Sequence, residues 1–385
     1  MRRRLLPAAL VMAVSLVFAW GSTANAVGEK PSYVTGSGSD VAWKVMTNLD
    51  TLYDLSPGCN LLSTGTQPLD QSCQAAFPGT TPPTSENAFH DVVREEAPIG
   101  GTAGVSELCQ HGLAGIAPVD FARQTKAPSS STCTGTSFVA YARDGLAVEA
   151  WPGIAGSGTS TFHNTSGTCA GSTGFCLTQA QLQGIFVTCS ITNWNQVGGL
   201  NVKIVPYVPL PQFGTRSAWD TLLGGDTSHC ITNPNHITPA ETDNSFPAHD
   251  GTRKGAIMAV SYASWKTRYG GKTNNDGSKL ASVDKVAAGP VNIGNGSYPY
   301  GRFIYNVYCT ACGSGPFVSS AATVRYVGEE GWICKASTHV NVPFTTTNYR
   351  TAITNAIKAA GFVPLPLGVI GGGDTNSDYC RLTTH

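Results

Sequence analysis

Three short runs of small and hydroxylated residues carry the clearest chemical potential in this chain. Thr35-Gly36-Ser37-Gly38-Ser39-Asp40 runs directly into a helical pattern with Val41, Val45, Leu49 and Leu52 on one face. Gly100-Gly101-Thr102-Ala103-Gly104 leads into Val105 to Leu108, and Phe213-Gly214-Thr215-Arg216-Ser217 leads into Ala218 to Leu223. The first turn of a helix presents unpaired backbone N–H groups and the positive end of the macrodipole. Several such turns converging on one point make an anion site without net protein charge. Glycine lets the backbone approach the ligand, and Ser and Thr hydroxyls add donors.

Motifs for other chemistries are missing. No G-x-S-x-G surrounds any serine and no H-E-x-x-H occurs, so a nucleophile-elbow hydrolase and a zincin find no support. The glycine clusters at 36–38, 156–158 and 294–296 fail G-x-G-x-x-G at the third glycine, and Gly271-Lys272 lacks the upstream glycine of a P-loop. His249-Asp250 are adjacent and so seldom point the same way; the pair reads as a polar loop. A secreted hydrolase therefore finds no nucleophile and base at recognisable spacing.

Composition agrees. The 385 residues carry 24 basic and 24 acidic side chains, only 12 % charged, with 41 % hydrophobic residues. Such a chain is neither disordered nor a polybasic nucleic-acid binder, and its length predicts two domains. Any hold on a charged partner must come from a few placed groups rather than a net field.

The N-terminus predicts export. Arg2, Arg3 and Arg4 precede an apolar run from Leu5 to Trp20 and then Ala24-Asn25-Ala26, a small-residue cleavage site. Cleavage after Ala26 removes three arginines and no acids, leaving 21 basic against 24 acidic groups, and no cysteine stands at the cut to take a lipid anchor. The 12 cysteines all follow residue 26, an even number that suits disulfides in an exported chain. Sequence proximity pairs Cys59 with Cys73, Cys109 with Cys133, Cys169 with Cys176 and Cys189 with Cys230. Cys309, Cys312, Cys334 and Cys380 stay open. The C-x-x-C spacing of Cys309 and Cys312 also suits zinc, but no second C-x-x-C or H-x-x-x-H follows.

The elements that must position the turns alternate. Apolar runs at Leu113–Val119, Ser137–Tyr141, Val202–Val208 and Phe303–Tyr308 read as buried strands, and Phe362–Leu367 as another. Thr347–Ala360 reads as a helix closed by Gly361, and residues 59–88 as a Gly-, Pro-, Ser- and Thr-rich surface loop. Strands alternating with helices predict parallel α/β layers. The scattered tryptophans Trp43, Trp151, Trp194, Trp219, Trp265 and Trp332 read as core packing.

These stretches, in this order, resemble the phosphate-binding solute receptors of bacterial ABC importers, especially their disulfide-bearing actinobacterial branch. The resemblance rests on Thr35 to Asp40, Ile99 to Val105, Val119-Asp120-Phe121-Ala122-Arg123, Val139-Ala140-Tyr141-Ala142-Arg143-Asp144, Gly214-Thr215-Arg216 and, most specifically, LTQAQLQGIFVTCSITNW from Leu177 to Trp194. It implies an α/β, two-lobed, type II periplasmic-binding-protein-like fold with two hinge crossings, near Tyr141–Ala147 and Tyr300–Tyr305. One lobe would comprise 27–143 plus 306–385, the other 144–305. It also implies a secreted or surface-held monomer, not an enzyme and without cofactor, metal or nucleic acid, that captures an oxyanion, inorganic phosphate in the first place, in an interlobe cleft for an ABC permease. By motif position Ser39, Asp40 and Val41 would contact the ligand from the first turn, Thr102 and Ala103 from the second, and Gly214 and Thr215 from the third.

The departures bear on the ligand. Gln124 and Thr125 stand where the family has a Ser-Asp pair whose carboxylate accepts the proton of hydrogen phosphate; Phe213 replaces the serine of the S-G-T turn, and Pro209 an arginine. Arg123, Arg143 and Arg216 are the candidates for compensating charge, with bidentate contacts to the anion. The alternative expectation is an extracellular interaction protein on the same scaffold with a degenerate cleft.

Overall fold

The structure is a computed structural model describing residues 33–54, 56, 91–111, 118–129, 132–151, 164, 167–172, 174–238, 253–268, 278–313, 317–336, 338–339, 341–342, 344–365 and 379–384. The leader, the 59–88 loop, the Cys59–Cys73 pair, His249-Asp250 and most of the 113–119 run lie outside the described residues.

Thirteen strands are described: β1 (Tyr33–Gly38), β2 (Val92–Glu95), β3 (Phe121–Gln124), β4 (Thr136–Ala150), β5 (Cys176–Leu177), β6 (Val205–Pro209), β7 (Ile237–Thr238), β8 (Ala256–Ser261), β9 (Lys279–Val283), β10 (Val286–Ala287), β11 (Gly301–Cys309), β12 (Val363–Pro364) and β13 (Arg381–Thr384). The α-helices are α1 (Asp40–Asp54), α2 (Gly101–Cys109), α3 (Gln179–Phe186), α4 (Gly214–Leu223), α5 (Tyr262–Arg268), α6 (Pro290–Gly294), α7 (Ala321–Val327), α8 (Trp332–Lys335) and α9 (Tyr349–Ala359). The main path of the sheet runs β2-β1-β3-β11-β4-β8-β6-β7.

Parallel layering holds at both ends of this path but not in its middle. β1 is parallel to β2 and β3, and β6 to β8 and β7. Between them β11 runs antiparallel to β3 and β4, and β4 antiparallel to β8. The physical reason lies in β4. The runs read separately as a strand at 137–141 and an extended crossing at 141–147 are one 15-residue strand, TSFVAYARDGLAVEA, whose β-branched, aromatic and alanine side chains leave only Arg143 less than buried. Its first part pairs with β11, β12 and β13; from Leu146 onward it pairs with β8 and then β9. β11 spans the same region in the opposite sense, with Gly301 against Gly145. The chain therefore passes twice between the two ends of the sheet, on neighbouring antiparallel strands.

Two apolar clusters flank this seam. One gathers Phe175, Phe186, Trp194, Trp219 and Tyr300 around α3 and α4; the other gathers Tyr53, Phe121, Tyr326, Trp332 and Tyr349 around α1, α7 and α9. Trp151, Trp194, Trp219 and Trp332 are fully buried, as core packing requires, whereas Trp43 on α1 is 40 % exposed. α9 starts on Asn348, whose side chain accepts from the Thr351 N–H, one residue later than the threonine start read from sequence. Gly361 follows its end with φ +89°, the left-handed region that favours glycine.

Five disulfides close the described chain: Cys109–Cys133, Cys169–Cys176, Cys189–Cys230, Cys309–Cys312 and Cys334–Cys380. The last two resolve the open quartet. Because Cys309 and Cys312 bond each other, the pair has no thiolates left to offer zinc.

Candidate functional site

The three turns converge, and small residues are what allow it. A Cβ on Gly104 would lie 2.5 Å from Gly38 Cα, so α2 packs its backbone directly on the end of β1. A Cβ on Gly100 would lie 2.6 Å from Gln212 O and 3.1 Å from the Phe213 ring, which brings the third turn against the second. Ser39 N–H donates to Arg123 O at 3.1 Å and Gly100 N–H to Gly38 O at 3.2 Å. Ser37 Oγ donates to Glu107 on α2 at 2.9 Å.

The helix starts differ in a way that bears on binding. α3 is fully capped: Thr178 accepts from Gln181 N–H, and the Gln181 side chain accepts from Thr178 N–H. α2 and α4 begin on Gly100 and Phe213, and neither receives a side-chain cap. The glycine and phenylalanine thus leave the first-turn N–H groups around Thr102, Ala103, Gly214 and Thr215 without the cap acceptor that a Ser or Asp would provide. Gln124 sits between these two starts. Its carboxamide oxygen accepts from Thr125 N–H at 2.8 Å, and a Cβ on Gly101 would overlap it. Thr125 is fully buried against Gly214, and among the described residues its Oγ1 has no hydrogen-bond partner. At the first turn Ser39 and Val41 are buried and Asp40 half-buried.

The arginines fall elsewhere than expected. Arg123 is fully buried and ion-paired with Glu95, and it donates from Nε to Ser39 O at 3.2 Å and from Nη2 to Glu96 O at 3.3 Å. Burial pulls its guanidinium down to about 10, and a buried, neutralised pair serves packing rather than a ligand. Arg143 stands over the Phe303 ring, 5.0 Å from its centroid, alongside Arg381 on the same ring. None of these partners belongs to a turn. Arg216 is held by Asp220 at 2.9 Å, Asp226 at 2.5 Å and Ser228 at 2.8 Å. Of the three candidates for compensating charge, the structure brings none to the cradle as a free guanidinium.

A residue that the motifs do not single out takes that place. Arg302, on β11 and cross-strand from Asp144 on β4, ion-pairs with the Asp144 carboxylate at 3.0 Å and donates to Thr215 Oγ1 at 3.1 Å. The Asp144 carboxylate also accepts from Ala263 N–H at 3.1 Å, which fixes it. The Arg302 side chain is 8 % exposed, and among the described residues its buried Nη1 has no hydrogen-bond partner. Its only sequence signal is its place inside the Tyr300–Tyr305 crossing; the pairing with Asp144 depends on strand register. The assembly offers helix-start N–H groups, a buried hydroxyl and a buried guanidinium. These are donors for a small oxyanion.

A PBP superfamily domain matches residues 103–323. The chain is similar in fold to an ABC-type phosphate transport receptor from Vibrio cholerae, with a TM-score of 0.50 and 18 % identity over 86 % of this chain and 99 % of that one. It is also similar to a putative phosphate ABC transporter substrate-binding protein with bound phosphate from Clostridium perfringens, at a TM-score of 0.47 and 17 % identity over 87 % and 100 % of the two chains. No curated protein matches this chain.

Proposed function

The chain belongs to the PBP superfamily, and we propose from that premise that it is a secreted solute-binding protein that captures a phosphate-type oxyanion for ABC-type uptake. The single observation that carries the reading is the meeting of the two uncapped starts of α2 and α4 with two buried, unpartnered donors, Arg302 Nη1 and Thr125 Oγ1. Each such group left unmet costs about 1–3 kcal/mol, which an oxyanion recovers by accepting from it. Ser39, Asp40 and Val41 face the ligand from the first turn, Thr102 and Ala103 from the second, and Gly214 and Thr215 from the third.

β4 and β11 are the two crossings between a lobe of 27–143 plus 306–385 and a lobe of 144–305, and the anion is buried when these close. Arg302 and Asp144 sit on the crossings themselves, so the charge that holds the ligand belongs to the hinge. Export follows from the leader, with cleavage after Ala26. Calorimetry of the mature protein with phosphate and sulfate tests the reading: heat of binding to phosphate is expected, and no heat with either ion removes it.

One observation favours the degenerate-cleft alternative. Gln124 places its own carbonyl oxygen against the starts of α2 and α4, where a ligand oxygen would lie. On that reading the wild type gives no heat with phosphate, and Gln124→Ala, which removes the occupying oxygen, is expected to restore it.

A further inference from the structure

A cavity of about 390 Å³ lies beside the cradle, between α2, residues 124–129 with 132–133, and α4. Thr102 and Gln124 line both, so the cavity opens from the helix starts that hold the anion, and Gln124 stands at the junction. Its size falls in the range of about 300–1,000 Å³ typical of pockets for organic ligands. A bare tetrahedral ion seated at the helix starts leaves it unfilled.

The lining has a definite chemistry. Lys126 and Ser217 line it together with Ser129 and Thr132, and among the described residues no carboxylate does. Lys126 Nζ donates to Ser217 Oγ at 2.8 Å, and among the described residues no carboxylate pairs with it. In a chain with only 12 % charged residues, a half-buried ammonium held by a hydroxyl inside a polar cavity is set up for a negative group brought by something else. The Cys109–Cys133 disulfide forms one wall and ties the end of α2 to the segment leading into β4, so the cavity is held open before anything enters it.

We propose that the ligand is a phosphomonoester with a short polar arm ending in a second anionic group: its phosphoryl group sits at the helix starts and its arm lies in this cavity against Lys126. This rests on the anion reading of the cradle and names the ligand class for it. Phosphoryl oxygens use the donors of α2, α4, Thr125 and Arg302. The arm passes Gln124, takes hydrogen bonds from Thr102, Thr132 or Ser217 hydroxyls, and ends at the ammonium.

Calorimetry with inorganic phosphate and with 3-phosphoglycerate, on the mature wild-type protein and on Lys126→Met and Lys126→Gln, tests it. In the wild type 3-phosphoglycerate is expected to bind at least tenfold more tightly than phosphate. Both substitutions are expected to abolish that advantage while leaving phosphate affinity within about twofold, since Lys126 lies outside the cradle. Thermal melts of the variants check that they fold. The proposal is overturned if 3-phosphoglycerate binds no more tightly than phosphate, or if its advantage survives both substitutions. If neither compound binds the wild type, the anion reading falls and takes this one with it; phosphate binding alone leaves that reading standing and removes only the arm.

Discussion

At the scale of single residues, the decisive distinction is between a charge that is already neutralised and a donor that is not. Arg123 belongs to the first class. Arg123→Gln leaves Glu95 buried without its counter-ion and is expected to cost about 3–5 kcal/mol of stability in denaturant unfolding, with ligand present or absent. A collapse of affinity at unchanged stability would instead return this guanidinium to the ligand. Thr125 belongs to the second class. Thr125→Val keeps the shape and removes a buried hydroxyl that has no partner, so the ligand-free protein is expected to melt at the same or a higher temperature. Phosphate affinity is expected to drop by about 1.5–3 kcal/mol in calorimetry, the usual loss of a hydrogen bond to a charged group. Arg302→Lys separates charge from geometry. An ammonium can satisfy Asp144, but it lacks the planar fork that reaches Asp144, Thr215 and a ligand at once. Affinity is therefore expected to fall at least tenfold while the melting temperature stays close to that of the wild type.

At the scale of elements, glycine decides how closely the turns approach, and two effects oppose each other at Gly104. Helix propensity favours Gly104→Ala by about 1 kcal/mol inside α2. Sterics oppose it, because the new Cβ would meet Gly38 Cα at 2.5 Å and Gly38 N at 2.8 Å, backbone atoms that cannot rotate away. Overpacking of this kind costs about 1–3 kcal/mol, so the net change is expected to be a lower melting temperature together with weaker phosphate binding, as α2 is pushed off β1. The sequence made this level readable: Gly-rich runs before apolar-faced segments mark the helix starts, and α1, α2 and α4 begin within a few residues of where those runs end. Local spacing also paired Cys109, Cys169 and Cys189 with the partners the structure gives them. What stayed hidden is everything set by register. Arg302 meets Asp144 across 158 residues of sequence, and Arg123 meets Glu95 because β1 lies between β2 and β3. No local pattern distinguishes such an arginine from one like Arg216, which turns back to acids on its own helix and the following loop. The continuous length of β4 was hidden for the same reason, since Arg143-Asp144-Gly145 interrupts an apolar run whose pairing carries straight on.

At the scale of the whole molecule, the cradle rests on a buried carboxyl that links stability to pH. Asp50 lies on the buried face of α1 and accepts a hydrogen bond from the Tyr326 hydroxyl at 2.5 Å. Burial, reinforced by the neighbouring Asp54 and opposed by Tyr326 and Arg123, pushes its carboxyl from 3.8 up to about 7. The folded protein therefore keeps a proton that the unfolded chain has already released. Stability from this group is complete below pH 3.8, is lost progressively as pH rises toward about 7, and does not change further above that. Burial pushes Asp54 and Asp120 in the same direction, whereas hydrogen bonds from Ser228 pull Asp226 down, so the net slope of the protein mixes both signs. Asp50→Asn isolates the one contribution. Asparagine is neutral at every pH and can still accept from Tyr326, so the variant is expected to gain melting temperature over the wild type above pH 7 and to lose that gain as the buffer approaches pH 4. A difference between the two proteins that stays constant across this range would show that Asp50 does not titrate there. The consequence reaches the proposed site through Arg123, which interacts electrostatically with Asp50 and donates to the Ser39 carbonyl of the first turn. Ionising Asp50 places a second negative charge beside the Arg123–Glu95 pair, and the turn that rests on this arginine is the part of the cradle expected to loosen first.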